Sequence, residues 1–210
     1  MSEILDDSAR RGRGRARATS KAELERIGLD LFIDRGFSTV TVDDIAGAAG
    51  ISRRTFFRYY ESKNDVAWGD FSRLMEGFAE ALDRAPADAS VIAAVRDAVR
   101  GFNQVPSEEL ARHRHRMIIL LKTPELVAHS TVRYAAWRAV IADFVARRLG
   151  ISPRDALPQA VSWACLGISL SAYEQWIERP DADLLALIDA SFRGLRDVFS
   201  AVVIDAEEPA

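Results

Sequence analysis

Between Thr41 and Tyr60 two short apolar stretches follow one another with only Gly50-Ile51-Ser52 between them. The first opens at Thr41, a hydroxyl that can cap a helix, with Asp44 three residues on in a T-x-x-D arrangement. It carries Ile45, Ala46 and Ala49 as an apolar stripe over about two turns. The second opens at Ser52 and runs from Arg53 to Tyr59, with Phe56 and Tyr60 recurring at i and i+4. Helices this short are marginal alone in water, so they must be held by packing. The spacing predicts a helix-turn-helix, in which Gly50 relieves the turn and Ile51 fills the angle between the two helices.

The rest of the chain repeats the helical period. Ser20, with Glu23 three residues later, caps a first helix whose Leu24, Ile27, Gly28, Leu31 and Phe32 share a face, and Gly36 ends it. Ser62 caps a long fourth helix to about Arg84, with Phe71, Leu74, Met75, Phe78 and Leu82 on one stripe. Five further periodic segments occupy 89–104, 107–122, 125–149, 153–178 and 182–202, separated by Pro106, Pro124, Gly150 to Pro153 and Pro180. With 49% apolar residues in 210, the chain can bury a substantial core, and strand signals are scarce. The expectation is an all-α protein of nine helices with no internal repeat. It is divided into a disordered basic arm (1–19), a helix-turn-helix domain (20–62), a ligand-binding and dimerisation domain (63–204) and an acidic tail (205–210).

Charge is divided along the chain. Residues 8–63 carry 12 Lys and Arg against 7 Asp and Glu, whereas residues 64–210 carry 16 against 21. A basic head on an acidic body points to a nucleic-acid contact in the first third; a solubilising tail is the alternative. The helix-turn-helix concentrates suitable groups in Ser52, Arg53, Arg54, Thr55, Arg58, Tyr59 and Lys63. Arginine and lysine bind phosphate, and residues near the start of the third helix reach base edges in a major groove. Arg53 and Arg54 project about 100° apart on a helix, so one reads a base and the other clamps phosphate. The alternative is a solvated arginine cluster on an ordinary helical hairpin.

The stretch from Thr41 to Lys63, TVDDIAGAAGISRRTFFRYYESK, resembles the DNA-binding signature of TetR-family transcriptional regulators. The resemblance implies a dimeric nine-helix protein with a palindromic double-stranded DNA operator and a C-terminal domain that holds a small-molecule effector. It places Thr41, Thr55, Phe57, Arg58, Tyr59 and Lys63 where the family contacts DNA. Phe57 stands where many members have Tyr, so a phosphate hydrogen bond is missing and a thymine methyl contact is the substitute. Together with Ser62 to Phe71, the segment is similar to regulators found beside mycofactocin biosynthesis genes in actinobacteria. That similarity implies a repressor responsive to acyl-coenzyme A thioesters.

The run Arg10 to Arg17, with Arg13 and Arg15 at its centre, is thin enough to follow a narrow minor groove; a tail with only diffuse attraction is the alternative. From Ala156 to Tyr173 no residue is charged, yet Pro158, Gln159, Ser162 and Ser169 make the run too polar for a membrane span. It reads as a buried helix. The last two helices offer Trp163, Leu166, Gly167, Leu170 and Tyr173, then Leu184, Ile188, Phe192, Leu195 and Phe199, as a homodimer interface. In Arg112-His113-Arg114-His115-Arg116 the histidines point about 200° apart and cannot share a metal, so surface basicity is the default. His129 reads as a cap or core histidine and Cys165 as a buried hydrophobe.

A largely apolar effector pocket is expected from Trp68, Phe71, Met75, Phe102, Met117, Leu121 and Trp137, with Arg112, Arg116 or Arg138 meeting the phosphates of an acyl-CoA at its mouth. A plain core, or a pocket for a drug-like or polyaromatic effector, is the alternative. One cysteine, no metal-ligand set, no phosphate loop and no nucleophile elbow argue for a cytoplasmic protein that is not an enzyme and carries no cofactor. A helical lipid-binding or interaction protein without specific DNA recognition is the rival class.

Overall fold

The computed structural model describes residues 19–206, with side chains through Asp197. It is all-α, and the chain forms two compact units, the first ending at Val66 and the second starting at Ala67. The expected arm contacts Arg13 and Arg15, the side chain of Phe199 and residues 207–210 of the acidic tail lie outside the described residues. The helices are α1 (Lys21–Arg35), α2 (Val42–Ala48), α3 (Arg53–Phe56), α4 (Lys63–Trp68), α5 (Phe71–Asp83), α6 (Val91–Phe102), α7 (Leu110–Lys122), α8 (Pro124–Leu149), α9 (Ala156–Glu178) and α10 (Leu184–Ala206).

The described residues therefore hold ten α-helices where nine were expected. The long fourth helix is broken because Gly69 takes φ 67° and ends α4, a left-handed backbone that costs glycine little. The helix restarts as α5 after Asp70.

In the first unit Ser20 Oγ accepts from the Glu23 N–H at 3.1 Å and Ser52 Oγ from the Thr55 N–H at 3.1 Å. Thr41 and Asp44 form a reciprocal capping box. Each cap is worth on the order of 1 kcal/mol, enough to fix where these short helices begin. Leu24, Leu29 and Phe32 of α1, Ile45 of α2, and Phe56 of α3 are buried together with Phe37 and Val40 of the connecting loop. The buried face of α1 is rotated from the expected stripe: Leu29 is inside, whereas Ile27 and Leu31 are half-buried. A Cβ on Gly28 would lie 2.4 Å from Val66 Cγ1, so α1 meets α4 closely at its glycine. The third helix is shorter than expected, because after Phe56 the N–H groups of Arg58 and Tyr59 reach back three residues to Thr55 and Phe56.

The second unit is built around α8, which packs on α5, α6, α7 and α9, while α10 lies against α6 and α9. Trp137 stacks on Phe78 with centroids 5.3 Å apart and planes 8° from parallel, and Phe102 meets Phe78 edge-on at 5.3 Å. Arg100 of α6 pairs with Asp189 of α10. Arg148 of α8 donates to the carbonyls of Ala85, Pro86 and Ala87, closing the turn after α5.

The interface expectation for the last two helices needs correction in detail. Leu166 and Tyr173 of α9, and Leu184, Ile188 and Phe192 of α10, are buried within the subunit. Their apolar stripe is core, because α10 has α6 as well as α9 to cover it. What faces outward is Trp163, 57% exposed, with Gly167, Ser171 and Gly194 along a shallow groove between α9 and α10. Among the described residues no helix is long and apolar enough to cross a membrane.

Candidate nucleic-acid interface and the interior of the second unit

In the first unit the caps and the turn place Ser52, Arg53, Arg54, Phe57 and Arg58 on exposed surface, with Thr55 half-buried beneath them. Ser52 Oγ lies 2.9 Å from Thr55 Oγ1, so both hydroxyls are held by the cap of α3. Thr41 is exposed, and its N–H donates to Asp44 Oδ2 at 2.8 Å. Hydrogen bonds from the Thr41 hydroxyl and then its N–H hold the Asp44 carboxyl below the usual carboxylate value. Arg53 Nη1 donates to Asp43 Oδ2 of α2 at 2.9 Å, and the same guanidinium lies 5.4 Å from the centre of the Phe57 ring. Phe57 in turn meets buried Phe56 edge-on at 5.4 Å.

Two expected phosphate donors are engaged with the protein's own main chain. Tyr59 OH donates to the Thr19 carbonyl at 2.8 Å. Lys63 Nζ donates to the carbonyls of Phe37 and Val40, both at 2.8 Å, and lies 4.3 Å from the centre of the Phe37 ring. The ammonium thus closes the loop between α1 and α2 on the inner side of the unit. Lys63→Ala is expected to lower the unfolding free energy by about 2–3 kcal/mol, since charged hydrogen bonds to buried carbonyls are lost. Chemical denaturation measures this, and an unchanged midpoint would show that the ammonium serves only outside the fold. Asp43 was not among the residues singled out from sequence; its only signal there is an acid standing ten residues before Arg53.

In the second unit Trp68 and Phe71 are buried edge-on to one another at 5.3 Å, and Trp68 also meets Tyr134 of α8 at 5.8 Å. Trp68 Nε1 is buried without a hydrogen-bond partner among the described residues. Met75, Phe102, Met117 and Leu121 are half-buried, whereas Trp137 is closed into the stack on Phe78. Arg112 and Arg116 stand one turn apart and half-buried on α7. Arg138 lies 3.6 Å from the centre of the Trp163 ring, so its guanidinium is turned towards α9.

The basic run on α7 is not simply a solvated face. His113 Nε2 lies 2.9 Å from Tyr173 OH, and that hydroxyl donates to Asn103 Oδ1 at 2.7 Å. Since the tyrosine gives its proton to Asn103, it accepts from His113, which fixes the Nε2–H tautomer. Asn103 Nδ2 closes the chain on the Val99 carbonyl at 2.7 Å. Burial, helped by nearby Arg116, pushes the His113 pKa down to about 4, and burial pushes Tyr173 up. Arg114 also turns inward: it stacks 4.0 Å from the Trp176 ring centre and donates to the carbonyls of Trp176, Arg179 and Pro180 at the end of α9. Surface basicity is therefore the wrong reading for His113 and Arg114, because α9 offers Tyr173, Trp176 and its own terminal carbonyls to them.

This architecture is shared with known proteins. Residues 27–67 match the family described as bacterial regulatory proteins, tetR family, and residues 89–200 match the MftR C-terminal domain. The chain is 46% identical to a candidate mycofactocin biosynthesis transcriptional regulator, MftR, of Mycobacterium tuberculosis, over 85% of this chain and 90% of that protein. It is 31% identical to the HTH-type transcriptional regulator TcmR of Streptomyces glaucescens, over 80% and 77% of the two chains. Among solved structures, Thermus thermophilus FadR, a TetR-family transcriptional repressor in complex with lauroyl-CoA, superposes with a TM-score of 0.54 at 25% identity, covering 83% of this chain and 92% of that one. The capped helix-turn-helix and the all-helical second unit are thus those of a TetR-family transcriptional regulator with an MftR-type C-terminal domain.

Proposed function

We propose that the chain is a ligand-responsive repressor that binds a palindromic operator as a two-fold dimer and is released by an apolar effector such as a long-chain acyl-CoA. Residues 20–62 are the DNA-binding segment in this reading, aided by the basic arm 1–19, and residues 63–204 hold the effector and the dimer contact. The exposed row Ser52, Arg53, Arg54, Phe57 and Arg58, with Thr41 and Thr55 beside it, faces the duplex. Tyr59 and Lys63 support that row from within. The dimer contact falls on the outward groove of α9 and α10, where small residues allow close approach.

The observation that carries the effector reading is the likeness, at 25% identity, to a repressor in complex with lauroyl-CoA. Half-buried Met75, Phe102, Met117 and Leu121, with buried Trp68 and Phe71, are the apolar side chains this reading assigns to its walls. Arg112 and Arg116, one turn apart, are the groups for the coenzyme A phosphates, with Arg138 in reserve on α8. The test is to titrate lauroyl-CoA, oleoyl-CoA and the two free fatty acids against the protein on a duplex selected from a random pool. The thioesters are expected to release DNA at concentrations at least about tenfold lower than the free acids, the worth of one charge-assisted contact. Release by none of them would overturn the acyl-CoA reading.

A further inference from the structure

The two adjacent arginines of α3 are not equivalent. Arg53 is held on two sides, by the carboxylate of Asp43 at 2.9 Å and by the ring of Phe57 at 5.4 Å from its centre. Both members of the ion pair are well exposed, at 58% and 65% for the two side chains. A pair in that much water contributes little to stability, so its consequence lies in where it leaves the guanidinium. Asp43 belongs to α2, and Phe57 is itself braced edge-on against the buried ring of Phe56. The guanidinium therefore contacts both helices of the motif, not merely its own.

We propose that Arg53 is the residue that reads a guanine in the major groove, and that Asp43 and Phe57 are positioning residues that hold its guanidinium for that contact. This rests on the operator-binding reading above. Guanine is the one base that presents two acceptors, O6 and N7, side by side on its major-groove edge, and a planar guanidinium matches them with two parallel N–H groups. An arginine carries five such donors, so the bond to Asp43 leaves enough for a bidentate contact. Adenine replaces one of the two acceptors by an amino donor, and cytosine and thymine cannot offer the pair. Prior restraint removes part of the entropy lost when a long, flexible side chain is ordered on a base. Asp43 serves as well by exclusion, since an unneutralised carboxylate beside phosphate disfavours any docking in which Arg53 has swung away. Arg54, about 100° further round the helix, is the phosphate contact.

The experiment uses the full-length chain and duplexes selected by it from a random pool, in which each guanine of the half-site is changed in turn to adenine with its pairing base. Dissociation constants are measured for wild type, Arg53→Ala, Arg54→Ala, Asp43→Ala and Asp43→Asn, with melting temperatures confirming that each variant is folded. Wild type is expected to lose about 5- to 150-fold at one guanine, the range for a bidentate base contact. Arg53→Ala binds the guanine and adenine duplexes equally at that position. Arg54→Ala weakens both to the same degree and lessens the salt dependence. Asp43→Ala keeps a guanine preference several-fold smaller than that of wild type. Asp43→Asn, which keeps an acceptor oxygen, recovers part of that preference. Wild-type discrimination persisting in Arg53→Ala would overturn the assignment of the reader, and undiminished discrimination in Asp43→Ala would overturn the positioning role. Failure to select any duplex would instead sink the operator-binding reading beneath both.

Discussion

Acidification from pH 7 to pH 4 is expected to remove about 3 kcal/mol of stability through His113 alone. Its pKa of about 4 in the folded protein stands below the ordinary 6.5 because burial disfavours the imidazolium, with Arg116 adding to the effect. The unfolded chain therefore binds the extra proton first as pH falls. The stabilising contribution is complete above pH 6.5, declines through the interval down to about 4, and is gone below it. Against total stabilities of about 5–15 kcal/mol this is a large share. Urea unfolding at pH 7, 6, 5 and 4 on wild type and His113→Gln provides the measurement, since carboxylate titration common to both cancels in the difference. Glutamine retains an N–H for Tyr173 but does not titrate, so its stability should fall less steeply with acid; parallel pH profiles would refute the assignment.

The second large effect is expected at Trp137. Its ring is 4% exposed, lies parallel to Phe78 and meets Phe102 at 6.4 Å. Trp137→Ala empties the junction of α5, α6 and α8, and truncations of this kind cost about 3–5 kcal/mol. Trp137→Phe keeps an aromatic face for Phe78 and should cost markedly less. Thermal unfolding followed by circular dichroism reads both, and a loss below about 1 kcal/mol for the alanine variant would mean that the stack is not a central part of the core.

What could be read from the sequence divides along a physical line. Caps, glycine turns and the i, i+3, i+4 period are local, and they located Ser20, Thr41 and Ser52 as helix starts and gave the helical class correctly. Tertiary choices were not local. The stripe Leu184, Ile188 and Phe192 has the same spacing whether it faces a partner or the subunit's own α6 and α9, and only packing shows that it is core. The histidines and arginines of α7 read as a solvated face because nothing in the run itself announces Tyr173, some 60 residues later. Gly69 was lost inside a convincing apolar stripe, since a single glycine does not declare whether it will take a positive φ. The recognition surface was legible as a set of residue types, but not the division of labour within it. Arg53 and Arg54 are chemically identical, and it is the cross-helix carboxylate of Asp43 and the ring of Phe57, both at Arg53, that separate them.

The hydroxyl of Tyr59 bonds the Thr19 carbonyl, and that of Tyr60 bonds the Lys21 carbonyl at 3.1 Å. These two stitches join the start of α1 to the end of the helix-turn-helix across about 40 residues of sequence. They give the arginines upstream a fixed point of departure. On the operator-binding reading proposed above, the chain upstream of Thr19 sets out from that anchored point, and Tyr59→Phe or Tyr60→Phe would slacken it while leaving every upstream residue unchanged.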